Sequence, residues 1–133
     1  MNGVHQVFEL PCVRVEAVEA GCNRLCDVRD CTGYVLTFSN GRFVCVTGDT
    51  STSEQMAHVT DEHIDYAFCC TDGVYNMGPE EAARCAEMVA AGHHIPYHND
   101  TSGSGKMFDG EKARAFTAQD LMVVLPGEEI RVI

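Results

Sequence analysis

Val13, Val15 and Ala17 alternate with Arg14 and Glu16, the period-two pattern of a strand with one buried and one wet face. Val4 to Leu10 carries a weaker form of the same pattern. Gly33 to Phe38 (GYVLTF) reads as a third strand. Asn40-Gly41 is a hairpin turn that returns it through Arg42 to Thr47 (RFVCVT). Val44, Cys45 and Val46 run without a polar break, so this strand is expected to be covered on both faces. Ser51, with Glu54 three residues later, fits a capping box that opens a short helix through Met56 and Val59. Ile64 to Cys70 (IDYAFCC) is another buried strand, followed by a loop from Thr71 to Gly78. Pro79 then suits a first helical turn, Glu80 and Glu81 suit its positive end, and Gly92 is a stop. Ala82, Cys85, Ala86 and Val89 fall on one side of that helix, and Glu81, Arg84 and Glu87 on the other. His93 to Tyr97 (HHIPY) is a short strand ending at His98, and Asn99 to Lys106 is a Gly/Ser-rich loop. Glu111 to Ala118 predicts a short helix and Leu121 to Leu125 a strand; Pro126-Gly127 turns into a last short strand. The order of elements predicts one α/β domain over residues 1–133 with a mixed sheet.

Charge narrows the function classes. The chain has 20 acidic and 9 basic residues and a formal net charge of -11, which repels phosphate backbones and anionic membrane surfaces. No apolar run approaches the ~20 residues needed to span a bilayer. Met1 to Leu10 lacks the basic and apolar regions of a signal peptide. These features predict a soluble cytoplasmic protein in a reducing compartment, where eight cysteines do not imply disulfides. Cys45, Cys69, Cys70 and Cys85 lie in apolar runs and read as small buried hydrophobes. Cys22, Cys26 and Cys31 are spaced C-x3-C-x4-C, without a fourth ligand at a zinc-site spacing. Free thiols therefore outweigh a zinc site there.

Three features bear on chemistry. Thr47-Gly48-Asp49-Thr50 puts a carboxylate at the end of a buried strand, and Ile95-Pro96-Tyr97-His98 puts an imidazole at the end of another. Gly73 to Ala82 (GVYNMGPEEA) is a loop leading into a helix. Strand ends of α/β sheets are where loops converge to build sites. An Asp after a strand also caps turns, and a lone His is more often a surface residue. A carboxylate and an imidazole brought together suit a divalent metal.

In their order and spacing these segments resemble the C-terminal half of a metallo-β-lactamase-superfamily hydrolase, in its ascorbate-phosphate-lactonase-like branch. The resemblance is carried by Gly33-Tyr34-Val35-Leu36, Gly48-Asp49-Thr50, Ile64-Asp65-Tyr66-Ala67, Asn76 to Ala82, Ile95 to His98 and Leu125 to Glu128. It covers about residues 12–129. It implies half of an αββα sandwich, a mixed sheet with helices mainly on one face. It implies that Asp49 bridges two metals and that His98 is the terminal ligand of one. Tyr75, Asn76 and Met77 would form a substrate loop at the mouth of the site. The implied cofactor is a divalent metal, zinc or manganese.

The superfamily's His-x-His-x-Asp-His loop is absent: none of His5, His58, His63, His93, His94 and His98 forms it. Two ligands fall short of the roughly three that a catalytic zinc takes from protein. As a single chain the protein is therefore expected to be weak or inactive. If active, it would hydrolyse a small ester, lactone or phosphoester. Half a sandwich would also leave one sheet face bare, lined by residues such as Val35, Phe38, Val44, Val46, Ala67 and Cys69 in some alternation. A cover is expected from a homodimer or from a separate chain carrying the N-terminal half, unless the gene is a truncated relic. Two alternatives stand beside this reading: a non-catalytic assembly or regulatory module that keeps the fold, and a thiol or zinc protein built on Cys22, Cys26 and Cys31.

Overall fold

A computed structural model describes residues 6–21, 31–59, 61–99 and 108–133. Six strands form one sheet in chain order: β1 (Val7–Leu10), β2 (Val13–Glu19), β3 (Thr32–Phe38), β4 (Phe43–Val46), β5 (Tyr66–Cys70) and β6 (His93–Tyr97). β1 to β4 pair antiparallel, while β4, β5 and β6 are mutually parallel. The tight turn at Asn40-Gly41 explains the first half: Gly41 has φ 82°, a left-handed conformation that glycine takes without strain. The parallel half needs longer crossovers. A 3-10 turn at Glu54–His58 lies on the first, and helix α1 (Pro79–Val89) is the second. A short helix α2 (Gly110–Ala115) follows β6, opened by Asp109, whose carboxylate accepts from the N–H groups of Glu111 and Lys112.

The α/β class, the mixed sheet and the six strands agree with the sequence pattern, and several boundaries differ. The short helix after β4 is a 3-10 turn whose N-cap residue is Ser53, with no side-chain cap, so the Ser51–Glu54 capping box does not form. The neighbouring Thr50 and Thr52 bond other loops instead: Thr50 Oγ1 accepts from Gly21 N, and Thr52 N donates to Glu81 Oε1 at 2.8 Å. Glu81 is accordingly half-buried rather than on a wet helix face. α1 stops at Ala90, in the left-handed conformation at φ 51°, two residues before Gly92. Gly92 serves close packing instead, because a Cβ there would lie 3.1 Å from Asp65 O. Leu121 makes only an isolated bridge to His94, and no strand follows Pro126-Gly127. The Gly/Ser-rich 100–107 segment, Cys22 and Cys26 lie outside the described residues.

Side-chain alternation divides the sheet into two faces. Val35, Cys45, Ala67 and Cys69 point to the helix side and pack with Met56, Ala82, Cys85, Ala86 and Phe116. The register puts Leu36 beside Val44, Val44 beside Tyr66, and Phe68 beside Ile95 on the other side. The expected bare face is thus corrected: Val35, Ala67 and Cys69 belong to the helix-covered face, and Phe38, Val44 and Val46 to the opposite one. That opposite face is also partly covered. Met122, Val124, Ile130 and Val132 of the C-terminal segment pack against the cluster of Val44, Tyr66 and Ile95. Arg131 O accepts from Tyr66 Oη at 3.4 Å, and Val132 O accepts from Asn40 Nδ2 at 3.2 Å. No helix among the described residues is long and apolar enough to cross a membrane.

Candidate metal site

The C-terminal ends of β4, β5 and β6 lie side by side because these strands are parallel and adjacent. Each is followed by a polar residue: Asp49, Asp72 and His98. Two of the three are delivered through left-handed backbone. Gly48, at φ 71°, turns the chain after β4, and a Cβ there would collide with Thr32 O. His98 itself sits at φ 46°, a conformation that costs a non-glycine residue energy and that clusters at functional sites. The result is a direct contact: His98 Nδ1 lies 3.0 Å from Asp49 Oδ1. With Nδ1 facing a carboxylate, the ring carries its proton there and donates it to Asp49.

Asp72 was not singled out by the sequence pattern, in which Thr71 to Gly78 reads only as a loop. Its carboxylate is 4% exposed and Oδ2 lies 3.9 Å from His98 Nδ1. Burial pushes its acidity toward the neutral form, but hydrogen bonds from Asn76, Val74 and Tyr75 outweigh burial and hold the carboxyl below the usual range. The backbone of the same loop is fixed from three sides. Met77 N donates to Thr50 O at 3.0 Å, Gly73 N to Met77 O at 3.2 Å, and Lys112 Nζ to Asp72 O at 2.6 Å.

The three residues of the expected substrate loop part company. Tyr75 is 46% exposed. Asn76 is buried, with its Nδ2 donating to Asp72 Oδ2 at 2.9 Å. Met77 is fully buried and belongs to the core on the helix side, so it faces no substrate. The other described histidines of β6 are committed elsewhere. His94 has Gln119 O at 2.9 Å from Nδ1 and Ala86 O at 3.1 Å from Nε2, and His93 packs against the Tyr66 ring.

The donor chemistry fits a divalent cation in part. A carboxylate oxygen and an imidazole nitrogen suit zinc or manganese, and 3.0 Å is close to the spacing of two adjacent ligands held about 2.1 Å from one ion. Among the described residues, however, no group of three or more His, Cys, Asp or Glu side chains is placed to hold a metal ion. The Asp72 Oδ1 is taken up by backbone donors, so it does not supply a third ligand atom. The thiols do not help: Cys45, Cys69, Cys70 and Cys85 are buried, and Cys31 is buried as well. Burial pushes Cys70 up to about 11, and burial with Cys85 nearby pushes Cys45 up to about 12.

Known proteins give this geometry a context. No protein-family model matches the chain. A UPF0173 metal-dependent hydrolase of Deinococcus radiodurans is 33% identical over 101 residues, covering 73% of this chain and 43% of that protein. A Parabacteroides distasonis structure, named as a metal-dependent hydrolase, superposes with a TM-score of 0.68 at 29% identity, over 90% of this chain and 55% of that one. The chain is a relative of metal-dependent hydrolases of the metallo-β-lactamase superfamily. A Thermotoga maritima structure named as a zinc-dependent hydrolase of that superfamily matches with a TM-score of 0.55 at 25% identity, over 73% of this chain and 47% of that one. The chain spans about half the length of the relatives it matches. Its six-stranded mixed sheet matches metallo-β-lactamase fold structures over part of their length.

Proposed function

We propose that this chain provides the C-terminal half of a metal-dependent hydrolase site, with Asp49 and His98 as its two metal ligands. The contact between Asp49 Oδ1 and His98 Nδ1 at the ends of β4 and β6 carries the reading. The Nδ1–H donated to Asp49 lies between the two atoms that a cation would bind. A divalent cation held there, zinc or manganese, would supply Lewis-acid polarisation to a small ester, lactone or phosphoester. The chain's own residues do the rest. Gly48 and the left-handed His98 aim the two ligands at each other. Tyr75, the exposed large side chain of the 72–77 turn, is the side chain of that turn best placed to meet a substrate.

Two ligands bind zinc weakly and leave hydrolysis incomplete, so a working site needs ligands beyond Asp49 and His98. A second copy of this chain, seated on the part of the sheet that the C-terminal segment leaves open, would bring another Asp49 and His98 into the assembly. Phe8 and Leu10, each 56% exposed, lie there beside Val15 and Val13. A separate chain bearing the N-terminal half is the other outcome of the same test. The absence of a three-ligand group among the described residues favours a second reading, a module that keeps the fold without the chemistry. Calorimetric titration of zinc into the chain near neutral pH separates the two. The hydrolase reading expects binding weaker than micromolar that disappears in Asp49→Ala and in His98→Ala. No zinc heat, or binding that both variants retain, contradicts it.

A further inference from the structure

We propose that Asp72 is a positioning residue for His98, working through the two oxygens of one ionised carboxylate; the relevance of this to hydrolysis rests on the reading above. Oδ1 accepts the N–H groups of Val74, Tyr75 and Asn76 at 2.9, 3.2 and 3.0 Å. This alone is a turn cap, and an Asn or a Ser supplies such an oxygen equally well. Oδ2 does something a cap does not need. It accepts the Asn76 amide at 2.9 Å and lies 3.9 Å from His98 Nδ1, on the same nitrogen that contacts Asp49. A second oxygen acceptor in that place requires a carboxylate. The imidazole is thus set between an exposed carboxylate from β4 and a buried one from β5. The buried one is immobile, because Asn76 and three backbone donors hold its side chain and Lys112 holds its carbonyl.

Asp72→Asn separates the two jobs. It keeps Oδ1 for the turn and replaces Oδ2 by an amino group facing both the Asn76 amide and the His98 ring. The measurement is nuclear magnetic resonance of the whole chain without metal, reading the His98 ring nitrogens and the exchange of the Val74 and Tyr75 amides. In Asp72→Asn the ring resonances are expected to move while amide exchange stays within about threefold of wild type. In Asp72→Ala both change, with amide exchange at least about tenfold faster. If Asp72→Asn fails to fold, the exchange of partners in Asp72→Asn/Asn76→Asp restores a donor–acceptor pair, and the ring is read there. Ring resonances that stay at their wild-type positions in the amide variant reduce Asp72 to a turn cap and overturn the proposal. The zinc titration is independent: its failure removes the hydrolase reading and leaves the ring result standing.

Discussion

The two faces of the sheet are finished to different degrees. The helix side is dry and built of small side chains: Ala67, Cys69, Ala82 and Cys85 have no exposure, which lets α1 lie close on β5. The other side carries larger groups, Leu36, Phe38, Tyr66, Phe68 and Ile95, under a C-terminal segment with almost no strand pairing. That segment reaches the β4–β6 half and leaves the β1–β2 end open. There the alternation is informative. Phe8, Leu10, Val13 and Val15 point to the open face, while Glu9, Arg14 and Glu16 point to the helix side and pair with one another. Among the described residues, and Val7 apart, charges lie on the side where no helix reaches and apolar groups on the side that has no cover. A strand pair facing water on both sides has no physical reason for this order.

The largest test of the comparison is on the helix side. Phe116→Ala empties a fully buried site there and is expected to cost about 3–5 kcal/mol in urea unfolding. A cost under about 1 kcal/mol would mean that this face is not the main core. Alkali sharpens the same contrast. Burial, then Cys85, raises the Cys45 thiol from 9.0 to about 12. Its contribution is therefore fully present below about pH 9 and lost as pH climbs toward about 12. Melting temperatures measured over that window should fall less steeply in Cys45→Ala. Acid works in the opposite sense. Burial alone would raise Asp65, but the Phe43 N–H and Arg42 outweigh it and hold the carboxyl below 3.8. Its contribution is present above the usual carboxylate range and lost as pH falls below it, so Asp65→Asn should flatten the acid limb of stability. Ile130→Ala, on the half-buried C-terminal cover, is expected to cost only about 1 kcal/mol. A loss as large as that of Phe116→Ala would make the cover a full second core and break the comparison.

Much of this was legible in the residues. β2, β3, β5, α1 and β6 were readable because alternation, the Asn-Gly turn and the Pro–Glu–Glu helix start are local signals, and here tertiary structure agrees with them. That Asp49 and His98 come together was readable because each follows a buried strand. Asp72 was not, although it lies between the same strands, because an Asp before Gly serves equally as a turn. Asn76, read from the sequence as a substrate-loop residue, is instead the side chain that holds Asp72. The C-terminal strands failed for a different reason. Met122, Val124, Ile130 and Val132 have strand-like side chains, but they pack over the sheet rather than along its edge, so burial without a ladder satisfied the same pattern. The capping box failed because the turn starts after Ser53, two residues beyond Ser51, which leaves Ser51 out of the cap position.

One measurement bears most directly on the claim that the β1–β2 end of the open face meets another chain. Sedimentation equilibrium of the wild-type chain across a hundredfold concentration range is compared with Phe8→Ser/Leu10→Ser. Both substituted side chains are more than half exposed, so the double variant is expected to fold with stability close to wild type. The account expects a reversible dimer that the double substitution converts to monomer. A wild-type chain that stays monomeric at every concentration, or a dimer that the double substitution leaves intact, would contradict it.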